Sequence, residues 1–178
     1  PIFRYILSVG SLTENKNQSL LIDVFSELKK EQNIPEKLVL IGEGKERESL
    51  ENKIKNLGME KEIFLLGARL NPYNYIKRAG LYIVTSKEEG FSLTTLEAMT
   101  LKTMVIATKT DGTREILGED SKYGKLVENS KEELKKEIAY YLKNIDKRRE
   151  YEELAYKRAH DFSKENAVAK IEEFIDRL

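Results

Sequence analysis

Five short and almost unbroken apolar runs constrain this chain most: Tyr5-Ile6-Leu7-Ser8-Val9, Lys37-Leu38-Val39-Leu40-Ile41, Ile63-Phe64-Leu65-Leu66, Leu81-Tyr82-Ile83-Val84-Thr85 and Met104-Val105-Ile106-Ala107. They lack the apolar–polar alternation of a strand with one wet face. Each therefore reads as a strand covered on both sides, the mark of a parallel sheet. Four of the five are followed within a residue or two by Gly or Ser, which interrupt strands. Between the runs, Leu20, Leu21, Val24, Phe25 and Leu28 share one helical face, with Asp23, Glu27 and Lys30 turned away. Leu50, Ile54 and Leu57 repeat that pattern, and Gly58 stands where a helix would end.

Strand alternating with helix implies right-handed crossovers. The expected fold is α/β, a doubly wound, mostly parallel, Rossmann-like sheet of about six strands, followed by C-terminal helices. From Ser130 onward the pattern is helical, in segments 131–144, 147–160 and 164–177. Asn144-Ile145-Asp146 and Asp161-Phe162-Ser163 separate them, with Ser163 as a cap and Asn166 in the following turn. The 178 residues suffice for one well-cored domain, without internal repeat or linker.

Composition excludes several functions. Thirty-one Lys and Arg balance thirty-one Asp and Glu, so there is no excess of cations to neutralise a nucleic acid, and none is an expected partner. Runs such as KEELKK interleave their signs and read as solvated helix faces. The absence of cysteine rules out disulfides and thiolate zinc sites and fits a cytoplasmic protein. No apolar run approaches the roughly 18 residues of a membrane span, and the N-terminal residues lack a signal-peptide layout. Pro1 is not an initiator residue, so the chain is expected to be a fragment or a processed product.

In doubly wound sheets ligands bind outside the carboxyl ends of the strands. The loop after the fourth run reads Ser86-Lys87-Glu88-Glu89-Gly90-Phe91-Ser92-Leu93-Thr94-Thr95-Leu96-Glu97-Ala98-Met99. Gly90 permits a tight turn and close backbone approach. Ser92, Thr94 and Thr95 suit the opening of a helix, whose free N–H groups attract anions. Glu97 is the only charge between Gly90 and Leu101, among Leu96, Ala98 and Met99. A carboxylate at such an interface is costly unless hydrogen-bonded. A ribose diol or sugar hydroxyl would supply the donors; a half-exposed Glu leaving an ordinary amphipathic helix is the plain alternative.

This stretch resembles the donor-site motif of the family-4-type retaining glycosyltransferases, which include sucrose and trehalose-phosphate synthases and bacterial polysaccharide mannosyl- and glucosyltransferases. That motif has two glutamates separated by seven residues, the first followed by Gly and an aromatic, the second inside Leu-Glu-Ala-Met. Glu89-Gly90-Phe91 and Leu96-Glu97-Ala98-Met99 match it. Val9-Gly10-Ser11-Leu12 with Lys16-Asn17 resembles the family's first donor loop, and Ile41-Gly42-Glu43-Gly44 its second-strand turn. Val105-Ile106-Ala107-Thr108, Gly112 and Glu115-Ile116 resemble its closing strand and loop.

The resemblance spans essentially the whole chain. It implies that residues 1–178 are the C-terminal, nucleotide-sugar-binding domain of a two-domain GT-B enzyme whose N-terminal acceptor domain is not in this chain. It further implies a retaining hexosyltransferase whose donor is a nucleoside-diphosphate sugar and whose acceptor is a glycan or lipid-linked glycan, in polysaccharide or glycolipid synthesis. Peripheral membrane association would come through the other domain. The chain alone is expected to bind donor weakly and to transfer nothing.

By the same resemblance Glu89 holds sugar hydroxyls, Glu97 the ribose, and Lys16 the diphosphate. Backbone N–H groups near Phe91, Ser92, Leu93 and Thr94 receive the distal phosphate, and Gly90 also belongs to the donor site. Gly10, Ser11 and Gly42 line the donor loops, with Arg69 and Leu70 contributing from the loop after the third strand. A lysine and a helix N-terminus would stabilise the departing phosphate without a metal, and the chain has no Asp-x-Asp pair; no metal or other cofactor is expected.

Three departures stand out: Ser11 where many relatives carry Arg, Lys102-Thr103-Met104 for a common Gly-x-Pro, and Asp111-Gly112 for the usual Gly-Gly. The last puts a carboxylate near the expected sugar pocket. Gly42-Glu43-Gly44-Lys45-Glu46-Arg47 lacks the third glycine of a dinucleotide fingerprint, which disfavours a Rossmann oxidoreductase. His160 reads as surface or packing, and Tyr140, Tyr141 and Tyr151 read as core. Tyr73 and Tyr75 either face the base or merely follow a helix-opening Asn71-Pro72. A non-catalytic partner subunit and a nucleotide-sugar epimerase are the other readings of the same fold.

Overall fold

A computed structural model describes residues 5–163 and 165–166. Six parallel strands form one sheet: β1 (Ile6–Val9), β2 (Leu38–Ile41), β3 (Ile63–Leu65), β4 (Leu81–Val84), β5 (Val105–Thr108) and β6 (Lys125–Val127), in the order β3-β2-β1-β4-β5-β6. The helices are α1 (Gln18–Gln32), α2 (Arg47–Asn56), α3 (Tyr73–Arg78), α4 (Leu93–Thr100), α5 (Asp111–Leu117), α6 (Lys131–Lys143) and α7 (Ile145–Ala159), with a 3-10 turn at His160–Phe162.

Why the apolar runs are unbroken follows from two cores. Alternate strand residues point to opposite faces. Ile6, Leu38, Leu40, Leu81, Ile83 and Ile106 pack with residues of α1, α2 and α6. Leu7, Val39, Ile41, Tyr82, Val84 and Val105 pack with residues of α3, α4, α5 and α7. Each fully buried Leu or Ile contributes about 1.5–3 kcal/mol, so both faces demand apolar side chains. The third run is the exception: β3 is an edge strand, and Phe64 is 40% exposed rather than covered.

Other differences from expectation have local causes. Asn144 alone separates α6 from α7; its Nδ2 donates to the Tyr140 carbonyl at 2.8 Å, and Ile145 and Asp146 already belong to α7. Tyr141 is buried, whereas Tyr140 is 44% exposed, since neighbouring residues on a helix cannot share a face. The expected cap at Ser163 is present, its Oγ accepting from the Asn166 N–H at 3.2 Å. The helix expected over 164–177 lies, apart from residues 165–166, outside the described residues. Lys102 adopts the left-handed conformation at φ 54°, which glycine would enter more readily. Its ammonium is 2.7 Å from Glu153 and 4.6 Å from the Tyr156 ring centre, contacts that a glycine could not make.

Candidate functional site

The sheet order reverses between β1 and β4, whose following helices α1 and α4 pack on opposite faces. A crevice at such a point is where doubly wound sheets bind ligands. The loop after β1 lies on the turn after β2. The Gly10 N–H donates to Ile41 at 2.9 Å, and the Leu12 N–H to Glu43 at 2.8 Å. Gly42 has φ 151°, and a Cβ there would fall 1.8 Å from the Gly10 carbonyl oxygen. The close approach that Gly42 permits is thus made by Gly10's own backbone.

From this loop Lys16 reaches across the switch point. Its Nζ lies 2.5 Å from Oε2 of Glu89, with the two side chains 26% and 13% exposed. Ser86 Oγ donates to the same carboxylate oxygen at 2.9 Å. Oε1 of Glu89 accepts nothing from the described residues, and an ammonium has three donors, of which Lys16 uses one here. Asn15 holds the opposing loop: its Nδ2 donates to the Glu88 carbonyl at 2.9 Å, and its Oδ1 accepts from the Glu88 N–H at 3.0 Å.

Helix α4 begins beside this pair. Ser92 is its N-cap residue but makes no capping bond; its Oγ accepts from the Thr95 hydroxyl at 2.8 Å instead. The N–H groups of Leu93 and Thr94 meet no acceptor among the described residues, as at any helix start without a side-chain cap. Glu97 is half-buried one turn on, with the Tyr73 hydroxyl 3.4 Å from its Oε1. The ring of Phe91 packs on Phe162 at 5.9 Å, tying the loop to the end of the helical annex.

Beneath the site Tyr82 is fully buried, and its hydroxyl donates to the Val9 carbonyl at 3.2 Å. Burial pushes this phenol well above its ordinary range, and the carboxylates of Glu97 and Glu89 add to that, while the Thr94 side chain opposes it. On the far side Gly112 closes against the loop: its N–H donates to the Glu89 carbonyl at 2.8 Å, and a Cβ would meet Glu89 and Gly90 backbone at 2.8 Å. A cleft of about 430 Å³ opens there, lined by Lys87, Glu88, Glu89, Gly90, Lys109, Thr110 and Asp111.

Residues 3–158 match the family model of the glycosyl transferases group 1. The chain belongs to this family. It is 34% identical over 163 residues to the N-acetylgalactosamine-N,N'-diacetylbacillosaminyl-diphospho-undecaprenol 4-alpha-N-acetylgalactosaminyltransferase of Campylobacter jejuni, a match covering 90% of the chain and 43% of that enzyme. Among solved structures, it superposes on the C-terminal domain of a glycosyl transferase group 1 family protein from Francisella tularensis with TM-score 0.77 and 25% identity, covering 89% of the chain and 85% of that domain. Anabaena HepE in complex with UDP shares the fold at TM-score 0.86 and 24% identity, over 99% of the chain and 50% of that structure. The chain spans less than half the length of the curated relative.

In this glycosyl transferase chain the fold brings Lys16, Glu89 and Ser86 into direct contact beside Gly10. Arg69 and Leu70, expected to contribute from the loop after β3, are exposed, and Arg69 forms no ion pair among the described residues. Ser11 is exposed, with its carbonyl taken by Gln18 Nε2 at 2.9 Å. Sequence reasoning missed Asn15 and Tyr82, whose partners lie 73 residues away along the chain, and Ser86, which bonds to Glu89 only three residues on. None of the described residues forms a His/Asp/Glu group placed to hold a metal ion. Among the described helices none is long and apolar enough to cross a membrane.

Proposed function

We propose that the chain binds a nucleoside-diphosphate sugar across the β1–β4 switch point and serves as the donor-binding domain of a glycosyltransferase in glycan synthesis. Its partner in that work is an N-terminal acceptor domain, and its acceptor a glycan or lipid-linked glycan. The Lys16–Glu89 contact carries this reading. It sets a cation with unused donors beside a carboxylate with one unused oxygen, so one reaches for phosphate and the other for sugar hydroxyls.

The uncapped start of α4 would accept the distal phosphate, and Glu97 the ribose. As the glycosidic bond breaks, negative charge grows on the leaving diphosphate, where a lysine and oriented N–H groups stabilise it without a metal. The sugar would be transferred with retention of configuration. Support for the domain reading comes from the Francisella C-terminal domain, of which the chain covers 85%; support for a uridine donor comes from the UDP bound to HepE. The Campylobacter relative acts on a lipid-linked acceptor, as its name states.

Calorimetric titration with UDP, GDP and ADP tests this. UDP is expected to bind, and Glu97→Ala to weaken it about tenfold with an unchanged melting temperature, the loss expected for one or two hydrogen bonds to a charged group. Binding by none of the three, or equal binding by the variant, would sink the reading.

A further inference from the structure

The cations lining the cleft beside Glu89 are already neutralised by acids that do not line it. Lys87 pairs with Glu14 at 2.8 Å, and Lys109 pairs with Glu128. Lys16 is matched by Glu89 within the site. Two lining carboxylates remain without a charged partner among the described residues, Glu88 and Asp111, both exposed. The uncompensated charge of this cleft is therefore negative, although its lining contains two lysines.

Asp111 is fixed there by the backbone. It is the first residue of α5, between Thr110, whose hydroxyl caps the helix by accepting from the Thr113 N–H at 3.3 Å, and Gly112, pressed on Glu89 and Gly90. Asp111 thus borders the same space as Glu89. An acid in a first helical turn also favours the helix dipole, but that serves α5 equally well from any direction and does not require a cleft.

We propose that Asp111 selects the donor sugar by charge, admitting uncharged hydroxyl-bearing hexoses and rejecting sugars that carry a carboxylate. Hydroxyls can donate to an ionised carboxylate, which only accepts. A uronic acid would bring a further negative charge into a cleft whose surplus is already negative. This rests on the donor-site reading above and names the substrate class of that site.

The test is titration of the 178-residue chain with UDP, UDP-glucose and UDP-glucuronate at fixed ionic strength, repeated with Asp111→Asn. Wild type is expected to bind UDP-glucuronate about tenfold more weakly than UDP-glucose, the scale of one like-charge contact at partial exposure. Asp111→Asn is expected to bring the two within about threefold. Should Asp111→Asn fail to fold, Asp111→Gly removes the same charge and serves in its place. UDP binding with equal affinity for both sugars overturns the proposal, as does a ratio that the variant does not move. Failure of UDP itself to bind overturns the donor-site reading and this inference with it.

Discussion

The two walls of the switch-point crevice are held by different means. On the β1–β2 side backbone lies directly on backbone: besides the Gly10 and Leu12 bonds, the Glu46 N–H donates to the Leu12 carbonyl at 3.0 Å, and a Cβ on Gly44 would fall 2.2 Å from that oxygen. On the β4 side two backbone bonds, from the Lys87 N–H to the Asn15 carbonyl and from the Gly112 N–H to the Glu89 carbonyl, both at 2.8 Å, are joined by a set of side-chain bonds. Asn15 grips Glu88, Thr85 Oγ1 donates to the Lys16 carbonyl at 2.7 Å, and Thr108 Oγ1 donates to the Ser86 carbonyl at 2.6 Å. Where backbone approaches this closely, at Gly42 and Gly44, no side chain fits. A side-chain contact can weaken by degrees, which suits the wall that carries Glu89.

Gly42→Ala attacks the first wall and should have the largest effect. Its new methyl would overlap the Gly10 carbonyl at 1.8 Å on a backbone with φ 151°, so both strand ends must part. We expect a loss of about 3 kcal/mol or more in urea unfolding, in the range of strained or overpacked sites. Gly90→Ala is the control, because a Cβ there meets nothing within 4 Å. Comparable losses in the two variants would erase the distinction between the walls.

Asn15→Ala attacks the second wall. Two hydrogen bonds to Glu88 disappear at an exposed position, and water can replace them, so the expected cost is about 1 kcal/mol. UDP affinity should fall severalfold, because the loop that orients Glu89 loses its grip. Unchanged affinity would mean that Ser86, Thr85 and Thr108 suffice to hold it.

The same contrast explains what the sequence discloses. Strands β1, β2, β4 and β5 were legible because two buried faces leave no room for polar alternation. Strand β3 was legible as an apolar run although Phe64 is exposed, and the Glu89–Glu97 spacing was legible because it is local. Strand β6 was not, since Lys125-Leu126-Val127 is only three residues long with a charged first member. Helices α3 and α5, of six and seven residues, are too short to display a periodic face. Arg69 illustrates the reverse: a cation in a strand-to-helix loop looks like a ligand group on paper, and the fold leaves it in solvent. Asn15 gave no signal because its role depends on Glu88, a partner that only the sheet order brings near.

Tyr82 touches both walls, and its loss should cost no more stability than that of Asn15 and should leave the grip on Glu88 intact. Strands β1 and β4 pair only through Ile6↔Leu81 and Leu7↔Tyr82, whereas β1 and β2 pair through four positions. Beyond Leu7 the strands on either side of the switch point diverge. The peptide whose Gly10 N–H points to Ile41 turns its Val9 carbonyl the other way, and the Tyr82 phenol occupies that side. Tyr82→Phe should therefore cost about 1 kcal/mol at neutral pH, the net worth of one hydrogen bond. Alkaline pH sharpens the test. Because burial raises the folded phenol's pKa, the unfolded chain releases this proton first, near pH 10, and wild type loses stability as pH rises further. The variant lacks that loss, so the gap between the two should narrow above about pH 10. A gap that stays constant through that range would show that the phenol titrates normally and is not sealed beneath the switch point.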